Sequence, residues 1–271
     1  MKNTVLVAIL LAGAVLGAQQ AQTPAAQSPP APTGYDDTPL QPNGKWRVHD
    51  GKRPQPRVVT PGPLVSIPPP SDAIVLLGDG QDLGHWQMTQ GGGPVGWPIE
   101  GGVLSSGKGM IRTTRDDFTD YQLHLEFATP SEVKGNSQGR GNSGVFLNGV
   151  FEIQVLDSFE NVTYPDGQAA AMYGQFPPMV NASRKPGEWQ SYDIVFTSPR
   201  FNGTTLERPA IVTVLHNGVT VHAAQAFLGP TSHRRIGTYE PAHAKGFIGL
   251  QDHGNPVRFR NIWVRPLAEA E

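Results

Sequence analysis

The sequence predicts an all-β sandwich of two curved antiparallel sheets. Short runs with a two-residue alternation of apolar and polar side chains recur from Asp72 to the C-terminus, and two Asn-Gly dipeptides, Asn148-Gly149 and Asn217-Gly218, each sit between a pair of such runs. Gly 32 and Pro 26 in 271 residues, with no sustained 3.6-residue periodicity, point the same way. A strand buries every second side chain, and Asn-Gly supplies the two left-handed residues of a tight hairpin turn. No repeat of about 20 to 50 residues is visible, which argues against a propeller or solenoid.

Residues 1–18 read as a signal peptide. Met1-Lys2-Asn3 is a short basic start, and Thr4 to Gly17 is an apolar run ending in small residues near Ala18. Such a run is too short for a membrane span, so cleavage between Gly17 and Ala21 and delivery to the periplasm or medium are expected, leaving no stable membrane span. Residues 19–71 form a Pro-rich linker, within which 34–60 carry enough apolar side chains (Tyr35, Trp46, Val48, Val58, Val59) to lie as an ordered arm. The compact domain is expected over 72–267, long enough to bury about 70% of the surface of its unfolded chain.

Within that domain the strands follow in order. Ala73 to Leu77 is short and apolar and stops at the Gly78-Asp79-Gly80 turn. Gly101-Gly102 restarts a strand at Val103-Leu104, and Met110 to Thr113 is the next. In Tyr121 to Ala128, Leu123, Leu125 and Phe127 alternate with Gln122, His124 and Glu126. Asn142 to Asp157 is a hairpin closed by a two-residue Asn148-Gly149 turn, with Phe151, Ile153 and Val155 facing a core and Glu152 and Gln154 facing away. Residues 161–180 form a long irregular insertion whose aromatic residues suggest function rather than slack. Trp189 to Phe196, Ala210 to Leu215, Val219 to Ala223, Gly246 to Gln251 and Val257 to Val264 complete the set.

Several function classes are excluded or disfavoured. A net charge of -2 offers no footprint for nucleic acid. Without cysteine there is no disulfide, thiolate metal site or Cys nucleophile. Phosphate loops, Gly-x-Ser-x-Gly elbows and His-Glu-x-x-His helices are missing, and the histidines at 216, 222, 233, 243 and 253 lack tight ligand spacing. No cofactor is demanded. Calcium is the one metal considered, through Asp79, Asp82, Asp116, Asp117 and Asp120, although loop aspartates more often build turns. Asn161, Asn181 and Asn202 head glycosylation sequons by pattern.

The chemistry-bearing residues lie on the polar phases of strands and at their ends. Glu126, Glu152, Gln154, Asp157, Gln251, His253, Arg258 and Arg260 form such a set, and Arg suits fixed multi-point hydrogen bonding. If those phases share one concave sheet, they line a single groove suited to sugar hydroxyls.

The residues that carry a resemblance are spread over the domain. They are Leu77-Gly78-Asp79-Gly80 with Trp86, Asn142 to Phe146, Phe151 to Asp157, Tyr173-Gly174, Gly187-Glu188-Trp189 with Tyr192-Asp193, Gly229-Pro230-Thr231, Gly249 to Gly254 and Val257 to Ile262. Together they resemble the 3-keto-disaccharide hydrolase domain family. The resemblance implies a concanavalin A-like jelly roll in an exported bacterial protein that acts on 3-keto sugars. A ketone at C3 acidifies the C2 proton, so a base can remove it, the C1 substituent can leave, and water can add to the resulting enone. On this reading Glu152 is the base, His253 the acid, and Arg258 or Arg260 stabilises the enolate. Glu126, Asn142, Gln154 and Gln251 orient hydroxyls, with Asp157, Tyr173 and Trp97 as further substrate contacts. Three alternatives stay open: a conventional glycoside hydrolase using Glu126 and Glu152 as paired carboxylates, a sugar-binding module using Trp97, Tyr164 or Tyr173 as platforms, and an arm and sandwich that only mediate protein contacts.

Overall fold

The computed structural model describes residues 30–42, 44–80 and 82–267. The segment read as a signal peptide and the first part of the linker lie outside the described residues. Among those described, two antiparallel sheets make a β-sandwich of jelly-roll type. The eight-stranded sheet runs in the order Val219–Ala226, Ile211–His216, Gln190–Thr197, Tyr121–Ala128, Arg258–Pro266, Val103–Ser105 and Ile99–Glu100, with Ile74–Leu77 also paired to Arg258–Pro266. The five-stranded sheet runs Trp86–Met88, Ile111–Thr113, Gly249–Leu250, Ser143–Leu147 and Phe151–Val155. No helix among the described residues is long and apolar enough to cross a membrane.

The core is what the alternation dictates. Leu123, Leu125 and Phe127 from one sheet meet Val145, Leu147, Phe151, Ile153 and Val155 from the other, all fully buried. Each residue between them therefore belongs to an outer face. Those outer faces are not solvated: Glu126 is 0% exposed and Glu152 only 5%. Part of the covering comes from residues 30–70, which have almost no regular structure of their own.

This arm starts on the outer face of the five-stranded sheet, where Ala31 and Pro32 bond Asn136 and Ser137. It folds back on itself through Tyr35 N–H to the His49 carbonyl (2.8 Å) and is fixed by Gln41 Nε2 to the carbonyls of Gly174 and Gln175. Arg57–Val58 then pairs in parallel with Val180–Asn181. Finally Ser66 and Ile67 reach the outer face of the larger sheet, bonding Glu126, Asn261 and Trp263.

Three local expectations change. The first hairpin has a three-residue loop, because Leu147 pairs with Phe151 and Val150 is added after Asn148 (φ 47°) and Gly149 (φ 73°). The added residue lends its carbonyl to both the N–H and the hydroxyl of Thr231 (2.9 and 3.0 Å). Four of the five aspartates weighed for calcium hold other partners: Asp82 caps a turn at Gly84, and Asp116, Asp117 and Asp120 pair with Arg112, Arg115 and Arg200. Among the described residues no group of three or more His, Asp or Glu gathers in a metal-binding arrangement. Asn161 and Asn181 are buried, with their amides donating to backbone carbonyls, which removes two of the three sequons from reach.

Candidate active site

The outer face of the five-stranded sheet carries a cavity of about 460 Å³, the size of a small-ligand site. Its floor follows from strand pairing. Glu152 lies opposite Phe146 and Gln154 opposite Gly144, while Gln251 N–H bonds the Gly144 carbonyl (3.0 Å). With no side chain at Gly144, the Glu152 carboxylate folds across that position. Gln154, with its amide nitrogen turned toward Glu152, donates to Oε1 (3.1 Å) and to the Ser143 carbonyl (2.8 Å). Asn142 donates to the Gln138 carbonyl (2.7 Å), and its own Oδ1 is buried with no partner.

Burial, unopposed by any cation, pushes the Glu152 carboxyl up to about 8. A carboxyl in that range is a stronger base than an ordinary glutamate and is still partly ionised near neutrality. Neither Lys nor Arg lines the cavity, and Glu152 is its only carboxylate among the described residues.

The walls come from loops and from the arm: Pro32 and Tyr35, then Tyr164 and Tyr173 of the long insertion, then Thr231, Ser232 and His233. Tyr173 Oη lies 3.2 Å from Tyr164 Oη and 3.1 Å from His233 Nδ1. Burial foremost raises both phenols, so they are neutral donors. Burial, with nearby His49, Arg234 and His253, lowers His233 and keeps its imidazole neutral.

The structure thus brings together six residues singled out from the sequence: Glu152, His253, Asn142, Gln154, Tyr173 and Gln251. Five others lie elsewhere. Glu126 and Arg260 face the opposite side of the sandwich, where Arg260 Nε bonds Glu126 Oε2 (2.7 Å) and His124 bonds Asp193 (2.7 Å). Arg258 and Arg260 both lie over the Trp189 ring, at 5.2 and 4.1 Å. These three residues were expected beside Glu152, but their strands belong to the other sheet, so the same alternation presents them to the far face. Asp157 is paired with Arg140 (2.6 Å) and borders an adjoining cavity of about 210 Å³ instead. Trp97 is buried, stacked on Phe259, with its indole N–H on the Gly109 carbonyl (2.8 Å).

Tyr35, Gln138, Thr231 and His233 were not singled out as site residues. They sit in loops or in the Pro-rich arm, where no periodicity marks a face. For Tyr35 the aromatic content of the arm was the available signal.

Comparison with known proteins agrees with this picture. A sequence model described as a 3-keto-alpha-glucoside-1,2-lyase-like domain matches residues 72–265. A Bacteroides thetaiotaomicron protein named 3-keto-disaccharide hydrolase is 25% identical over 251 residues, covering 75% of this chain and 81% of the relative. A Parabacteroides distasonis crystal structure, provisionally described as a glycosyl hydrolase, is 41% identical and superposes with a TM-score of 0.71, covering 88% of this chain and 100% of that one. A second structure from the same organism, 21% identical with a TM-score of 0.52 over 72% of this chain and 94% of that one, shares the fold.

Proposed function

Because the chain belongs to the 3-keto-alpha-glucoside-1,2-lyase-like family, we propose that it cleaves 3-keto-glycosides by elimination and then hydration. The observation that carries this reading is the Glu152 carboxyl, the one carboxylate among the described residues of a cavity that no described Lys or Arg lines, pushed by burial up to about 8.

The C3 ketone makes the C2 hydrogen acidic. Glu152 takes that proton, the C2–H electron pair becomes the C1–C2 double bond as the C1–O bond breaks, and the departing oxygen is protonated by His253. Water then adds at C1 of the enone while the proton returns to C2, for a net hydrolysis. The Arg residues expected to steady the enolate are on the far face, so the role passes to neutral donors of the cavity, the Tyr173 hydroxyl first among them. Asn142, Gln154 and Gln251 orient ring hydroxyls. A two-carboxylate glycosidase is disfavoured, since it needs a second carboxylate about 5 to 9.5 Å from the first in the same groove. Export follows from the reading of the first 18 residues and is part of the proposal.

The test is incubation with a 3-keto-glucoside and with its parent glycoside in deuterated water. Cleavage of the keto compound alone, with deuterium at C2 of the product, supports the mechanism. Cleavage of the parent at a similar rate overturns it, and tight binding without turnover selects a sugar-binding module.

A further inference from the structure

Behind the cavity wall lies a residue that the proposed chemistry does not use. His49 comes from the arm, outside the family-matched segment 72–265, and is completely buried. Asp166 holds it twice, accepting from the His49 backbone N–H at Oδ2 (2.9 Å) and facing its Nδ1 at Oδ1 (3.2 Å). The imidazole is the centre of a ring cluster, with centroids 4.1 Å from Tyr164, 4.8 Å from Tyr173 and 5.3 Å from His233. Its Nε2 is buried without a hydrogen-bond partner.

Two features are costly unless the placement matters. His49 has a left-handed backbone (φ 57°), uncommon for a residue other than glycine. Gly174, also left-handed (φ 72°), leaves room for the ring, since a Cβ there would lie 3.3 Å from His49 Cε1. A segment that needed only an anchor would not require a titratable ring with one nitrogen left orphaned.

We propose that His49, delivered by the arm and locked by Asp166, is a positioning residue of the active site that holds Tyr164 and Tyr173 in hydrogen-bonding register with His233. The arm then supplies part of the pocket wall, through Pro32 and Tyr35, and part of its support, through His49. This rests on the 3-keto-glycoside reading above, in which Tyr173 faces the developing enolate.

His49→Asn is the discriminating variant. Asn tolerates the left-handed backbone and keeps a donor for Asp166, but it removes the ring and Nε2. Turnover of a 3-keto-glucoside by the wild-type chain is measured first, because its absence defeats the functional reading whatever the variant does. Given turnover, the expected result is a loss of at least tenfold in kcat, a small change in KM, an altered alkaline limb of the pH profile and a urea midpoint near wild type. Asp166→Asn should alter the same limb. Full activity in His49→Asn overturns the proposal, as does a loss that merely tracks the folded fraction.

Discussion

Gly144 and Glu152 share one space: a Cβ added at Gly144 would stand 2.2 Å from Glu152 Oε1. The glycine needs no left-handed backbone, so its value lies in what it leaves empty. Gly144→Ala should therefore swing the carboxylate aside, lowering kcat by about 10²-fold, the cost of misplacing a reacting group by an ångström. The overpacking should cost about 1–3 kcal/mol. Kinetics and denaturant midpoints read the two effects separately, and in a Glu152→Gln background the kinetic penalty of Gly144→Ala should vanish.

Glu152→Gln should lower kcat/KM by at least about 10²-fold, as removal of a general base does. It should also alter stability against pH. The folded carboxyl titrates near 8 and the unfolded one near 4.5. Below the unfolded value both states are protonated and nothing is lost. As pH rises only the unfolded state releases its proton, so stability falls, by on the order of 3 kcal/mol at pH 7. The Gln variant should lack this slope and be the more stable protein at pH 8, while wild-type kcat/KM climbs toward about pH 8. Urea titrations at pH 5 and 8 check the first statement.

Glu126 behaves in the opposite sense. Burial alone would raise it, but the nearby His124 and bonds from Ser66, Asn261 and Arg260 together hold it down at about 2. Its stabilisation is complete above the unfolded value near 4.5 and disappears as pH falls toward 2. It amounts to about 1–2 kcal/mol after allowing for screening at the partly exposed Arg260. Glu126→Gln should weaken the strap at Ser66, lower the thermal midpoint and leave kcat unchanged, because the residue lies on the face away from the cavity. A matching loss of kcat would contradict that placement.

Trp97→Ala should cost about 3–5 kcal/mol, the range for deleting a buried aromatic ring. KM measured on the folded fraction should not move. A selective rise in KM would return Trp97 to the substrate site.

The Phe151, Ile153, Val155 alternation was legible because a strand declares its faces within a few residues. It could place Glu152 and Gln154 together, but it could not place Glu126 with or against them. Tyr121–Ala128 and Phe151–Val155 carry the same pattern, and only long-range pairing assigns them to different sheets. His253 was legible because it follows an apolar strand in phase with Gln251, and it reaches the cavity because Gly249–Leu250 ends beside Gly144. His49 was invisible for the converse reason: its position follows from Asp166, more than a hundred residues away, and from a backbone conformation that no local composition announces. Trp97 was named as a sugar platform, whereas its ring stacks on Phe259.

A cavity walled by tyrosines, amides and imidazoles, with no guanidinium or ammonium among the described residues that line it, also discriminates by omission. Uronates and sugar phosphates would surrender their hydration there without a counter-ion in the wall to replace it. Uncharged oxidised sugars lose little on entry, so the enzyme should sort its substrates by charge before any chemistry begins.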